Sequence, residues 1–149
     1  MGERQYLDLI EDILKNGKMV DGRNAKALTV FGRSMRFDLK NNISPALTTK
    51  KVAWKTCLKE LLWFISGRTD NKILKDQNVK IWNDNSSREY LDSIGLLDRK
   101  EDDLGPVYGH QWRHFNAKYN TCDDDYRDIG IDQLKYIIDS LKKKKKRYS

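Results

Sequence analysis

Between Val52 and Ser66 the chain is apolar on nearly every side of a helical wheel, through Val52, Ala53, Trp54, Leu58, Leu61, Leu62, Trp63, Phe64 and Ile65, and Gly67 follows as a closing residue. A helix of that kind has no solvent face, so the pattern predicts one covered all round by other elements. The remaining sequence has to supply that cover. With 149 residues, 38% of them hydrophobic, it has the material for one core and one domain. Nine glycines and two prolines exclude collagen-like and low-complexity chains.

The other elements are read from their periods. Tyr6, Leu7, Leu9, Ile10, Ile13 and Leu14 recur at helical spacing, and Gly17 stands where a left-handed closing residue belongs. From Leu28 to Leu39 the pattern alternates, with Leu28 and Val30 on even positions and Met35, Phe37 and Leu39 on odd ones. That change of parity predicts a long strand bulged and bent near Phe31-Gly32. Ser86 and Glu89 form a capping box for a short helix through Tyr90, Leu91 and Ile94 that ends at Gly95, and Asp98 to Asp103 is a charged loop. Ile131, Leu134, Ile138 and Leu141 mark a last helix. One strand among four helices has no partner, so either short strands lie at Ile81-Trp82 and Val107-Tyr108 or the rest of the sheet lies elsewhere.

The formal charge of +7 suggests nucleic acid, but Lys142 to Lys146 and Arg147 carry six of those charges, leaving 23 basic against 22 acidic residues. A basic helix end is ordinarily solvated, so binding of RNA or DNA phosphates through this tail, residues 142–147, is the minor reading. No apolar run approaches the roughly 18 residues of a membrane span, and the start Met1-Gly-Glu-Arg-Gln has neither a basic nor an apolar leader segment. The expectation is a cytoplasmic protein without membrane partners. Cys57 and Cys122 form no CxxC pair, and His110 and His114 have no ligand cluster around them, so no metal is assigned. Cys57, in its apolar run, reads as a core thiol.

Four places carry candidate chemistry. Glu60 lies on the apolar helix between Ala53, Cys57, Phe64 and Trp63; it is either a buried proton donor or a boundary glutamate paired with Lys59 or Arg68. Gly105 to Arg113 combines turn formers with Tyr108, Gln111 and Arg113, which suits a polar ligand or a packed aromatic turn. Trp82, followed by Asn83, Asp84 and Asn85, offers a ring for stacking next to amide groups, or a core indole. Arg23, after Asp21-Gly22, is either a phosphate ligand or a solvated side chain.

These residues stand in a longer pattern. Gln5-Tyr-Leu-Asp-Leu-Ile, Leu28-Thr-Val-Phe-Gly-Arg-Ser-Met-Arg-Phe-Asp-Leu, Leu47-Thr-Thr-Lys, Lys59-Glu-Leu-Leu-Trp-Phe-Ile-Ser-Gly, Ile81-Trp, Ser87-Arg-Glu-Tyr-Leu-Asp and Asp103-Leu-Gly-Pro-Val-Tyr-Gly-His-Gln-Trp-Arg-His-Phe follow in order. Together they closely resemble the N-terminal portion of thymidylate synthase.

The resemblance implies an α/β (α+β) fold of three layers with a bent sheet, of which this is the N-terminal part, and a homodimer in the complete enzyme. It implies methylation of dUMP to dTMP with 5,10-methylenetetrahydrofolate as co-substrate. Glu60 and Tyr108 match catalytic positions for proton transfer, Arg23 an arginine on the dUMP phosphate, and Lys50, Ile81, Trp82 and Asn85 positions around the folate. A pyrimidine hydroxymethylase of the same superfamily is the nearest alternative.

There are departures. Gly22-Arg-Asn-Ala-Lys-Ala-Leu-Thr stands where the family has a glycine-rich arginine loop, and Asn42-Ile-Ser-Pro-Ala-Leu replaces Gly-Phe-Pro-Leu-Leu. Neither Cys57 nor Cys122 has the Pro-Cys-His context of the family nucleophile. The expectation is therefore an incomplete domain over residues 1–149 that is inactive alone.

Overall fold

The computed structural model describes residues 2–22, 25–42 and 44–143, and they fall into two compact units, Met1–Val52 and Ala53–Ser149. Arg23 and the basic tail from Lys144 onward lie outside the described residues. Among the described residues no helix is long and apolar enough to cross a membrane.

In the N-terminal unit the spacing of Tyr6, Leu9, Ile10 and Ile13 produces α1 (Arg4–Asn16), which runs directly into a hairpin of β1 (Lys18–Asp21) and β2 (Lys26–Thr29). The strands pair antiparallel, with Lys18 opposite Thr29 and Asp21 opposite Lys26, and the Gly22 amide donates to the Ala25 carbonyl to close the turn. Gly17 is extended at φ −68° and ψ 149°, not left-handed as the sequence suggested. Its small size is what matters, because a Cβ there would lie 2.4 Å from the Ile13 carbonyl oxygen and 2.7 Å from Leu28 Cγ. The helix and β2 approach each other through that gap.

The long bulged strand is not found: β2 stops at Thr29 and the chain turns at Phe31-Gly32, where Gly32 has φ +69°. The parity change therefore records a strand ending, not an inserted residue. Its partner is β1, and neither of the expected hidden strands forms. Ile81-Trp82 lies in a turn and Tyr108 opens a helix.

Glu3 fastens the far end of this unit. Its Oε1 accepts from the backbone amides of Thr48 and Thr49, both at 2.7 Å, and the two threonine hydroxyls donate to its carboxylate at 2.5 Å. Led by the Thr48 hydroxyl, these donors hold the carboxyl at about 2, well below its ordinary 4.5.

The second unit is helical. It comprises α2 (Trp54–Ile65), α3 (Lys72–Asp76), α4 (Arg88–Ser93), α5 (Tyr108–Arg113) and α6 (Gln133–Lys142). Its core is Trp63, Leu74, Val79 and Leu104, with Phe64, Ile73, Trp82 and Val107 packed against it. Two antiparallel single-pair bridges, Asp70 with Asp103 and Phe115 with Ile131, hold the loops. Gly109 allows α5 to lie on the end of α2, since a Cβ there would meet the Arg68 carbonyl oxygen at 2.6 Å.

The reading of α2 as covered all round is corrected. Only Trp63 of its twelve residues is buried, while Trp54, Cys57, Leu58, Leu61 and Leu62 are exposed. Cover on one side explains this: α3 and α5 pack on the face that carries Trp63, while Leu61 and Leu62 beside it point away from them. The cap of α4 is also displaced by one residue: the Ser87 hydroxyl accepts from the Tyr90 amide, and Ser86 turns inward and is fully buried. α6 begins after Ile131, the first residue of its sequence pattern, and is capped by Asp132, which accepts from the Lys135 amide. The described elements are thus mixed helix with one small two-stranded sheet, in keeping with an α/β class.

Leu74 is wholly buried and Leu97 is 69% exposed. Leu74→Ala should lower the unfolding free energy in a denaturant titration by about 2–5 kcal/mol, against about 0.5 or less for Leu97→Ala. For Glu3, a depressed carboxyl pKa means stability present above pH 4.5 and lost as pH falls through about 2. The Thr48 and Thr49 amide resonances should therefore titrate with a midpoint near 2, and Glu3→Gln should abolish that titration.

Candidate functional site

Five of the seven sequence-derived site residues, Glu60, Ile81, Trp82, Asn85 and Tyr108, lie in the second unit. Of the other two, Lys50 is exposed in the N-terminal unit, following the threonines that Glu3 holds, and Arg23 is outside the described residues.

Glu60 is half-buried on α2, not enclosed as its helical position suggested, because Ala53 and Cys57 above it are exposed. Neither expected cation takes it. The Lys59 ammonium donates to the Gln77 carbonyl at 2.7 Å, and Arg68 forms a two-point pair with Asp70 at 2.9 and 3.1 Å. Instead the Trp82 indole Nε1–H donates to Glu60 Oε1 at 2.7 Å, joining residues 22 positions apart. Among the described residues Oε2 accepts no hydrogen bond. The carboxylate is thus fixed through one oxygen and open at the other.

Phe64, one helical turn beyond Glu60, brings the aromatic residues together. Its ring centroid lies 6.3 Å from Trp82, 5.2 Å from Tyr108 and 5.6 Å from Trp112, all edge to face. Trp82 and Tyr108 are 6.2 Å apart. Such pairs contribute about 0.5–1.5 kcal/mol each beyond their buried area and fix ring orientation. Ile81 is 51% exposed and Tyr108 55%, so the cluster presents an open apolar edge next to the Glu60 carboxylate. Asn85 is half-buried in the short turn Asp84–Ser86 that follows Trp82.

The polar members of the Gly105–Arg113 cluster have mostly structural partners. Gln111 donates to the Pro106 carbonyl at 3.1 Å, and Arg113 pairs with Asp132 at 3.0 Å. His110 lies on α5, not in a turn, and is 1% exposed, with Nε2 at 3.2 Å from the Ala117 carbonyl oxygen. Its ring sits edge-on to Tyr119 and Tyr126, which stack on each other. Burial lowers the neighbouring His114 below the ordinary imidazole range.

Sequence reasoning missed Asp103, which it placed in a charged loop. The residue is 2% exposed. Its Oδ1 accepts from the Tyr119 hydroxyl at 2.6 Å and the Gly105 amide at 2.7 Å, and Oδ2 accepts from the Cys122 amide at 3.0 Å. The signal available was the switch from charge to Leu-Gly-Pro immediately after it. Phe64 was read only as part of the apolar run; the repeat of aromatics at Tyr108 and Trp112, four apart on α5, was the available hint. Cys122 is buried, and desolvation pushes its thiol up to about 11, with Asp103 adding to the effect. It remains a neutral thiol and a poor nucleophile.

Known proteins share this arrangement of sequence. The family model described as thymidylate synthase matches residues 4–148. The thymidylate synthase of Saccharomyces cerevisiae is 54% identical over 142 residues, covering 94% of this chain and 47% of that protein. The bifunctional dihydrofolate reductase-thymidylate synthase of Paramecium tetraurelia is 53% identical over 141 residues, covering 94% of the chain and 30% of that protein. The corresponding bifunctional protein of Zea mays is 50% identical over 141 residues, covering 94% and 27%. The chain thus spans less than half the length of each of these relatives. A match running through nearly all of its residues, at about half identity, leaves one assignment: the chain belongs to the thymidylate synthase family.

Proposed function

We propose that this chain supplies walls of a site at which dUMP is methylated to dTMP with 5,10-methylenetetrahydrofolate, as part of a three-layer synthase domain that pairs with a second copy of itself. The observation that carries the reading is the Trp82–Glu60 hydrogen bond at the open edge of an aromatic cluster. A flat pterin is apolar on its faces and polar on its rim, and Ile81, Trp82 and Tyr108 next to one carboxylate fit that division. The folate supplies the one-carbon unit and the hydride that brings it to the methyl level.

The chain's own residues hold and move protons. The indole fixes Glu60 through Oε1, so Oε2 is oriented to accept from an N–H on the pyrimidine or the folate, or to carry a proton between them. Tyr108, at the first residue of α5, presents its hydroxyl as a second proton carrier near C5 of the base. Asn85 lines the folate from the turn after Trp82. In the N-terminal unit, Lys50 pairs with carboxylates of the folate's glutamate tail, and Arg23 with the dUMP phosphate.

The reading assigns the attacking thiol to neither cysteine of this chain. Cys122 is a buried thiol near 11, and neither Cys122 nor Cys57 has the Pro-Cys-His context. Catalysis then needs a cysteine beyond these two. A pyrimidine hydroxymethylase would use the same walls; the relatives reported above bear synthase names, which favours methylation.

Titration of the 149-residue chain with tetrahydrofolate, followed by tryptophan fluorescence, tests the reading. It predicts saturable quenching, with affinity reduced about tenfold in Trp82→Leu and in Glu60→Gln. Quenching that does not saturate, or that is unchanged in Trp82→Leu, would overturn it.

A further inference from the structure

Trp82 stands in the turn that leads into Asp84–Ser86. The Asn83 amide donates to the Lys80 carbonyl at 3.1 Å and the Ser86 amide to the Trp82 carbonyl at 3.1 Å, and these bonds shape the turn without fixing where it sits. Asn71 does that. It is wholly buried, and its Nδ2 donates to Asn83 Oδ1 at 3.1 Å and to Ser86 Oγ at 2.9 Å. Ser86, also wholly buried, donates a hydrogen bond from its hydroxyl to Asp102 Oδ1 at 3.1 Å. Backbone bonds close the ring: the Asn71 amide donates to the Asp102 carbonyl at 2.8 Å, and the Asp102 amide to the Ser86 carbonyl at 3.0 Å. Lys75 secures Asp102 from α3 at 2.5 Å.

The chemistry of Asn71 is uneven. Both its N–H groups are used, yet its buried Oδ1 has no partner among the described residues. An unpartnered buried carbonyl is unfavourable, and an apolar side chain of the same size would avoid that penalty. An amide in this place is explained by its two donors and by what they grip. Both gripped residues belong to the segment immediately beyond Trp82, whose indole reaches Glu60.

We propose that Asn71 is a positioning residue for Trp82: its buried amide grips Asn83 and Ser86 and thereby sets the indole against Glu60. Its functional meaning rests on the reading of Trp82 as a folate-facing residue.

The experiment uses the full 15N-labelled chain and the indole N–H resonance of Trp82, assigned by its loss in Trp82→Phe. Asn71→Leu keeps the volume and removes the donors; Ser86→Ala removes one acceptor with little change in volume. Tyr126→Leu serves as the control, because Tyr126 packs on His110 and Tyr119 and has no bond to this ring of residues. In Asn71→Leu and Ser86→Ala the Trp82 indole proton should shift upfield and exchange with solvent about tenfold faster. Tetrahydrofolate affinity should fall by a similar factor. Tyr126→Leu should lower the melting temperature and leave the Trp82 signal in place.

An unchanged Trp82 indole in folded Asn71→Leu would overturn the proposal. Should that variant fail to fold, an unchanged signal in Ser86→Ala would do so. A wild-type chain that binds no tetrahydrofolate would instead overturn the folate reading, while the indole signal would still decide whether Asn71 positions Trp82.

Discussion

The second unit depends on one buried carboxylate. Asp103 accepts three hydrogen bonds, from the Gly105 amide, the Cys122 amide and the Tyr119 hydroxyl, while being 2% exposed. A carboxylate removed from water needs such donors, because each unmet lone pair would cost on the order of a kcal/mol or more. Here it has them from two stretches of chain, its own loop at Gly105 and the segment that carries Tyr119 and Cys122. Its backbone faces Asp70, with the Asn71 amide on the Asp102 carbonyl and the Leu104 amide on the Thr69 carbonyl at 2.8 and 3.1 Å. The segment after α2 is thereby locked to the segment before α5. Tyr119 shares in the tie through Thr69 Oγ1 at 3.0 Å, and burial together with Asp103 pushes its hydroxyl far above the ordinary phenol range.

That lock decides where the candidate site residues stand. Asp70 gives its carbonyl to the Trp63 indole at 3.0 Å, so the bridge is also tied to α2, which carries Glu60 and Phe64. Asn71 continues the same segment and reaches the Trp82 turn. Gly105 leads within three residues to Tyr108 on α5. Glu60, Trp82 and Tyr108 come from three different elements, and the segments next to them are tied together at the Asp70–Asp103 bridge. Rigid support of this kind is what the proton-handling role proposed for Glu60 requires, since a small misplacement of a reacting group is costly in rate.

Local features were legible in the sequence and distant ones were not. The periods of α1, α2 and α6 and the left-handed closures at Gly67 and Gly95 are properties of a few neighbouring residues, and they appear where expected. The Ser86-Ser87 pair shows the limit: either serine could cap α4, and the choice was made by Asn71, fifteen residues back, which draws Ser86 inward. The parity change at Phe31 reported a true break, but its cause is a turn with positive φ at Gly32 that alternation alone does not distinguish from a bulge. Glu60 was singled out by its place on an apolar helix; its partner Trp82 was not legible, because that contact is set by tertiary packing. The candidate residues were recognised as a set only through the family resemblance, whereas Asp103 and Asn71 look like ordinary loop residues until their burial is seen.

The most direct measurement of this account is the unfolding free energy of Asp103→Asn. The amide matches the carboxylate in size but replaces one acceptor by a donor, so in either orientation the Gly105 or the Cys122 backbone N–H faces another N–H. The account predicts a loss of about 1–3 kcal/mol together with loss of hydrogen-exchange protection at one of those two amides. A variant as stable as the parent, with both amides still protected, would contradict it.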